Sequence, residues 1–140
     1  EIYTLSLHDA LPICVKLKYL DNWIERRVQV AEQYLQGLDS IDNITLPIKQ
    51  KWAKQAYHLF VIRTNMRDEL KNYLSKKGIH TGIHYPISLP KLKAYSYSNQ
   101  ANELMFANSL GVSLLSLPIG EHLSKEDVEK VILAIKQFFE

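Results

Sequence analysis

The sequence predicts an α/β protein in which a small sheet is packed by helices. Three observations lead there. An apolar stripe at three- and four-residue steps runs through residues 17–38. A second stripe of the same period closes the chain. Between them lies AYHLFVIRT, residues 56–64, a β-branched and aromatic run that is apolar on both faces near its middle.

The first stripe consists of Leu17, Leu20, Ile24, Arg27, Val28, Ala31, Leu35 and Leu38, apolar in every member but Arg27. It predicts one long amphipathic helix ending near Gly37, with Glu25, Arg26, Gln29 and Glu32 toward water. Residues 39–43 are turn-like, and residues 44–48 predict a short strand with Pro47 near its end. Residues 56–64 predict a buried strand. Asn65 is placed to cap the next helix and Asp68 to supply an acid in its first turn, with Leu70, Tyr73 and Leu74 on its apolar face. Gly78 stands where a left-handed C-terminal cap belongs. Residues 79–85 predict a second strand, stopped by Pro86. Residues 88–99 read as a loop, residues 101–110 as a helix, and residues 113–117 as an extended stretch into Pro118. In the last helix Ser124 can cap the amide of Asp127, with Leu123 and Val128 as a hydrophobic staple. Val128, Val131, Ile132, Ile135, Phe138 and Phe139 supply its buried stripe. Pattern leaves the strand direction open.

A chain of 140 residues, 46% hydrophobic and 23% charged, fits one globular domain. Its net charge of +2 is too small to point to nucleic acid or an anionic membrane. Cys14 is the only cysteine, so no internal disulfide forms. No apolar run approaches the roughly 20 residues that span a bilayer. The expected compartment is the cytoplasm.

The chemistry-bearing stretch is KGIHTGIHYPISLP, residues 77–90. In a strand, His80, Gly82 and His84 share one face. Gly82 leaves that face open to another backbone or a ligand. His84 and Tyr85 then put an imidazole and a phenol at the strand's end, where they can hydrogen-bond or carry protons. The alternative is an edge histidine satisfied by backbone beside an ordinary core aromatic. His80 and His84, about 13 Å apart in a strand, are too distant to share a metal. Lys49, Lys51 and Lys54 around Trp52 read as a solvated loop with one anchoring indole, or else as a basic-aromatic binding patch. No phosphate-binding Gly-rich loop or nucleophile elbow is present.

Three stretches together resemble the C-terminal region of the DegT/DnrJ/EryC1/StrS sugar aminotransferases: KLKYLDNWIERRVQVAEQYLQGL (residues 16–38), AYHLFVIRT with RDELKNYLSKKGIHTGIHYP (residues 56–86), and LLSLPIGEHLSKEDVEKVILAIKQFF (residues 114–139). The resemblance covers about residues 15–140. It implies the C-terminal small domain of a fold-type I, pyridoxal-phosphate-dependent enzyme, with residues 15–38 as its connecting long helix. Such enzymes transfer an amino group, usually from glutamate, to a nucleotide-linked keto-sugar, and form homodimers. HYPISLPKLKAY, residues 84–95, is similar to the subgroup acting on dTDP-linked 3-keto sugars, with Pro90 where many members have histidine. His84 and Tyr85 match the family's His-Tyr pair near the bound sugar, which implies a substrate-binding role. The family's pyridoxal phosphate is held by an earlier, larger domain, so the resemblance implies no catalytic or cofactor-binding residue in this chain and an inactive fragment. No lysine here matches the Schiff-base motif.

Residues 1–14, EIYTLSLHDALPIC, depart from the family and resemble translated sequencing-adapter sequence. They are expected to be an artefact joined to a truncated gene. The competing functional reading is a stand-alone domain that binds a nucleotide or nucleotide sugar without catalysis.

Overall fold

The computed structural model describes residues 7–140. In chain order the elements are α1 (Leu7–Leu17), α2 (Leu20–Leu38), β1 (Phe60–Arg63), α3 (Arg67–Lys76), α4 (Phe106–Leu110), β2 (Leu114–Leu117) and α5 (Lys125–Phe139), with short 3₁₀ turns at Leu89–Lys91 and Lys93–Ser98. The two strands pair antiparallel, Phe60 opposite Leu117 and Ile62 opposite Leu115. Helix α5 packs against both α2 and α3, and α3 reaches β2. The result is a small sheet packed by helices.

The core collects from every layer. Helix α2 contributes Val30, Ala31, Tyr34 and Leu38, and α5 contributes Val128, Val131, Ala134 and Ile135. Phe60, Ile62, Leu70, Leu74 and Leu115 are fully buried between them. Burying each large apolar side chain is worth roughly 1.5–3 kcal/mol relative to leaving it in water. Gly37 belongs to the last turn of α2 and does not lie past its end. A Cβ there would stand 2.6 Å from Ile132 Cδ1, so the missing side chain is what lets α2 and α5 approach.

Several expected elements are shorter than their patterns. The long helix is interrupted at residues 18–19, and the first stripe members, Leu17 and Leu20, are exposed. Its buried face is rotated toward Val30 and Tyr34. Residues 44–48 make one bridge, Thr45 to Arg63, and no strand. Strand β1 starts only at Phe60. Tyr57 has φ 47°, and the carbonyls of Tyr57 and His58 accept from Arg27 Nη1 at 3.3 and 3.4 Å, which takes them out of a sheet ladder. Arg27, the one charged member of the stripe, is therefore a tether. Residues 101–110 form a helix only over Phe106–Leu110. The Asn108 amide donates to the carbonyls of Gln100, Ala101 and Glu103, which occupies acceptors that a longer helix would use.

Helix ends follow local chemistry, with one correction. Asn65 does not cap α3. Its cap residue is Met66, whose amide donates to Thr64 Oγ1. At the other end Gly78 has φ 75°, and the amide of Ile79 donates to Leu74 O at 2.9 Å, the left-handed cap that only glycine adopts without strain. Helix α5 carries a full capping box: Asp127 N donates to Ser124 Oγ and Ser124 N donates to Asp127 Oδ2, each at 3.1 Å. Hydrogen bonds from the Ser124 hydroxyl and then the Ser124 amide hold the Asp127 carboxyl below the usual aspartate range. Its contribution is therefore present above that range and fades as pH falls through the depressed value. Ser124→Ala should lower Tm by roughly 3–5 °C at neutral pH. Thermal scans should show the gap narrowing on acidification, and a gap independent of pH would contradict the box.

Candidate active-site wall around His84 and Tyr85

Residues 79–85 are not a strand. Their one sheet contact is the bridge between Gly82 and Ser116, with Gly82 N to Ser116 O at 3.0 Å and Ser116 N to Gly82 O at 2.7 Å. Strand β1 takes one edge of β2, and this bridge lays residues 79–85 along the other. Gly78 releases the chain from α3, and Ile79, 7% exposed, pins it to the core. Within β2, Leu115 and Leu117 belong to the core cluster, and alternation puts Ser116 on the opposite face.

His84 folds back over this bridge. Its Nδ1 lies 2.9 Å from Ser116 Oγ. A Cβ on Gly82 would stand 2.5 Å from His84 Cε1, so the ring occupies the space that glycine leaves. The imidazole is half-buried and satisfied by a side chain, not by backbone. Tyr85 is 71% exposed and is not a core aromatic. The two rings stand nearly perpendicular, at 86°, with centroids 5.6 Å apart.

Tyr85 borders an apolar cleft of about 740 Å³, walled by Pro86, Ile87, Leu89, Leu92, Met105 and Leu110 among others. Three polar ties hold its walls. Ser88 Oγ donates to Asn108 Oδ1 at 2.5 Å, and Lys91 Nζ donates to Asn108 O at 2.9 Å. Arg67 Nη1 donates to Gly111 O at 3.2 Å. Gly111 in turn sits against Pro86, whose carbonyl oxygen would be 2.6 Å from an added Cβ. Arg67 is nearly buried, and its Nε lies 2.6 Å from Asp68 Oδ1, outside good hydrogen-bond geometry.

The arrangement presents an imidazole edge and a phenol beside an apolar hollow. Such groups orient a polar ligand and give or take protons. The cleft lining contains no lysine and no carboxylate, so these walls do not by themselves fit pyridoxal phosphate. Among the described residues no group of three or more His, Cys, Asp or Glu side chains is placed to hold a metal. Among the described residues no helix is long and apolar enough to cross a membrane. Trp52 is 85% exposed and anchors nothing. It lines a second hollow with Asp21, Glu25 and the three nearby lysines, where charges of both signs meet.

Sequence reading singled out His84, Tyr85 and Gly82 but missed Ser116, Asn108 and Arg67. Ser116 left a signal, a lone hydroxyl in the apolar run LLSLP. Asn108 and Arg67 left none, since they bond loop carbonyls, at Gln100, Ala101 and Glu103 for Asn108 and at Gly111 for Arg67, that no periodic pattern marks.

The fold is a small antiparallel sheet packed by helices, with the adjacent residues His84 and Tyr85 at one edge. The chain belongs to the DegT/DnrJ/EryC1/StrS aminotransferase family, whose model matches residues 3–136. It is 42% identical over 128 residues to the erythromycin biosynthesis sensory transduction protein EryC1 of Saccharopolyspora erythraea, covering 91% of this chain and 35% of that protein. It is 37% identical over 132 residues to the dTDP-3-amino-3,4,6-trideoxy-alpha-D-glucose transaminase of Streptomyces venezuelae, covering 94% of this chain and 35% of that protein. The crystal structure of S. venezuelae DesV in complex with a ketimine intermediate superposes with a TM-score of 0.91 at 31% identity, covering all of this chain and 40% of that one. A family aminotransferase from Brucella abortus superposes at 0.81 with 29% identity, covering 90% of this chain and 34% of that one. The chain thus spans about a third of its relatives' length. The match starts at residue 3, and residues 1–6 lie outside the described part.

Proposed function

We propose that this chain is the C-terminal part of a pyridoxal-phosphate-dependent aminotransferase that moves an amino group, usually from glutamate, to a nucleotide-linked keto-sugar. The proposed substrate is a dTDP-3-keto-deoxyhexose, the enzyme a cytoplasmic homodimer, and the chain alone inactive. The observation that carries the reading is His84 seated on Ser116 with Tyr85 exposed at the mouth of the apolar cleft. His84 and Tyr85 are assigned to substrate binding, where they orient the sugar. The substrate class draws support from two relatives named as dTDP-3-amino-sugar transaminases, at 37% and 35% identity. When bound, the cofactor supplies an electron sink, and its lysine and phosphate cradle are assigned to sequence outside this chain.

An exposed apolar run supports a missing neighbour. Val15, Leu17, Tyr19 and Leu20 all face solvent from the end of α1 to the start of α2. The foreign origin of residues 1–14 is a separate proposal, decided by resequencing the source locus. The functional test is expression of the gene with its upstream sequence. The longer protein should turn yellow with pyridoxal phosphate and aminate a dTDP-3-keto-sugar, while the 140-residue chain should do neither. Cofactor uptake and turnover by the short chain would refute the reading. Tight nucleotide-sugar binding by the short chain, with no amination by either protein, would favour the stand-alone binding domain.

A further inference from the structure

We infer that Ser116 is a positioning residue that locks His84 as its Nε2–H tautomer, so that the histidine meets the substrate as a hydrogen-bond donor. The inference deepens the substrate-binding role proposed above and rests on it.

The argument starts from the hydroxyl. Ser116 is 4% exposed, and its Oγ has one hydrogen-bond partner among the described residues, His84 Nδ1 at 2.9 Å. A hydroxyl has one proton to give. If Nδ1 carried the ring proton and donated to Oγ, the serine proton would be left without an acceptor in a buried place, which is the costly arrangement. The hydroxyl therefore donates to Nδ1, and the neutral ring carries its proton on Nε2. Nε2 makes no hydrogen bond within the described residues, and it is not among the buried unpartnered atoms, so it reaches solvent.

The seat is built from both sides. The backbone of Ser116 is fixed by β1 through its pairing with Val61 and by the paired bonds to Gly82. Gly82 supplies the floor, since its absent Cβ is the space the ring edge fills, 2.5 Å from Cε1 and 3.1 Å from Nδ1. Rotation of the imidazole away from Ser116 would strand the hydroxyl. One hydrogen bond and one missing methyl thus set both the direction and the tautomer of His84. A keto oxygen or a carrier phosphate, acceptors both, matches an N–H presented this way. A proton-bearing donor group on the ligand does not.

The test reads the tautomer directly. In the 140-residue chain with ¹⁵N-labelled histidine, His84 is assigned by its loss in His84→Asn. Long-range ¹H–¹⁵N spectra above the imidazole titration range should show one fixed Nε2–H tautomer at His84. Ser116→Ala, which removes only the hydroxyl, should return His84 to the averaged pattern of the exposed His58 and His80. Gly82→Ala, which keeps the hydroxyl but displaces the ring, should do the same. In the longer protein both substitutions should lower kcat/KM by roughly 10- to 100-fold, the scale of a misplaced polar group. Cofactor uptake should be unchanged. An Nδ1–H tautomer, or an averaged pattern in the unsubstituted chain, overturns the inference whatever the activity. A fixed tautomer with unimpaired Ser116→Ala kinetics overturns the positioning role if His84→Asn is impaired. If His84→Asn is also unimpaired, the substrate-binding reading itself falls, and the inference falls with it.

Discussion

Tyr34→Ala is expected to lower the unfolding free energy by about 3–5 kcal/mol, the usual cost of removing a large buried aromatic ring. Against the 5–15 kcal/mol typical of a whole domain, that leaves a large unfolded fraction at moderate temperature. The ring is fully buried and stands 5.1 Å from Phe60, joining α2 to β1. Its hydroxyl donates to Pro118 O at 2.9 Å, which fixes the exit of β2 onto the same helix. Tyr34→Phe keeps the ring and removes only that donor. It should cost about 0.5–1.5 kcal/mol, the net worth of one hydrogen bond, since the Pro118 carbonyl is only partly buried. Urea midpoints at constant slope separate the two effects. A loss under about 1 kcal/mol in Tyr34→Ala would mean that α2 does not pack as described.

The same tyrosine makes an alkaline prediction. Burial, and secondarily the charge of Asp127, push its hydroxyl well above the ordinary tyrosine range. A group whose pKa is raised by folding stabilises fully below its unfolded value, about 10, and loses that contribution as pH climbs toward the folded one. Wild-type stability should fall more steeply above that pH than that of Tyr34→Phe.

Periodicity carried most of the helical frame. The stripe of α5 lay open in the sequence because every third or fourth residue from Val128 is apolar and the cap residues stand at fixed offsets. Gly78 was legible for a similar local reason. The failures share a cause too. Residues 56–59 and 79–85 look like strands by composition, but a strand also needs free backbone groups and a partner beside it. Arg27, far away in sequence, claims two carbonyls of the first run, and only Gly82 of the second run reaches β2. Asn108 shortens its helix in the same manner. Side chains that bond distant backbone leave no period to detect. At the site, adjacent residues His84 and Tyr85 were visible as chemistry. Their opposite fates, one seated and one exposed, depended on Ser116 across the bridge, which no local pattern links to them.

The largest functional effect is expected at His84. In the longer protein His84→Asn should reduce kcat/KM by about 100-fold, the scale of a lost orienting contact at the reacting substrate. Asparagine can imitate a hydrogen bond near Nδ1, but its amide does not reach the place of Nε2, so the donor offered to the sugar is lost. The loss should therefore appear mainly in turnover. Tyr85→Phe removes one hydroxyl from an exposed ring whose aromatic wall remains in the cleft. About a tenfold loss is expected there, the scale of one ordinary hydrogen bond. Neither substitution touches the core, so both proteins should unfold at the wild-type urea midpoint and take up the cofactor normally. Loss of cofactor uptake in either variant would move the pair from the sugar's side of the cavity to the cofactor's. Wild-type kinetics in both would remove the pair from the site altogether. Steady-state measurement at saturating amino donor, with the keto-sugar varied, distinguishes these outcomes, because a residue that orients only the sugar alters the second substrate's parameters and leaves the first half-reaction intact.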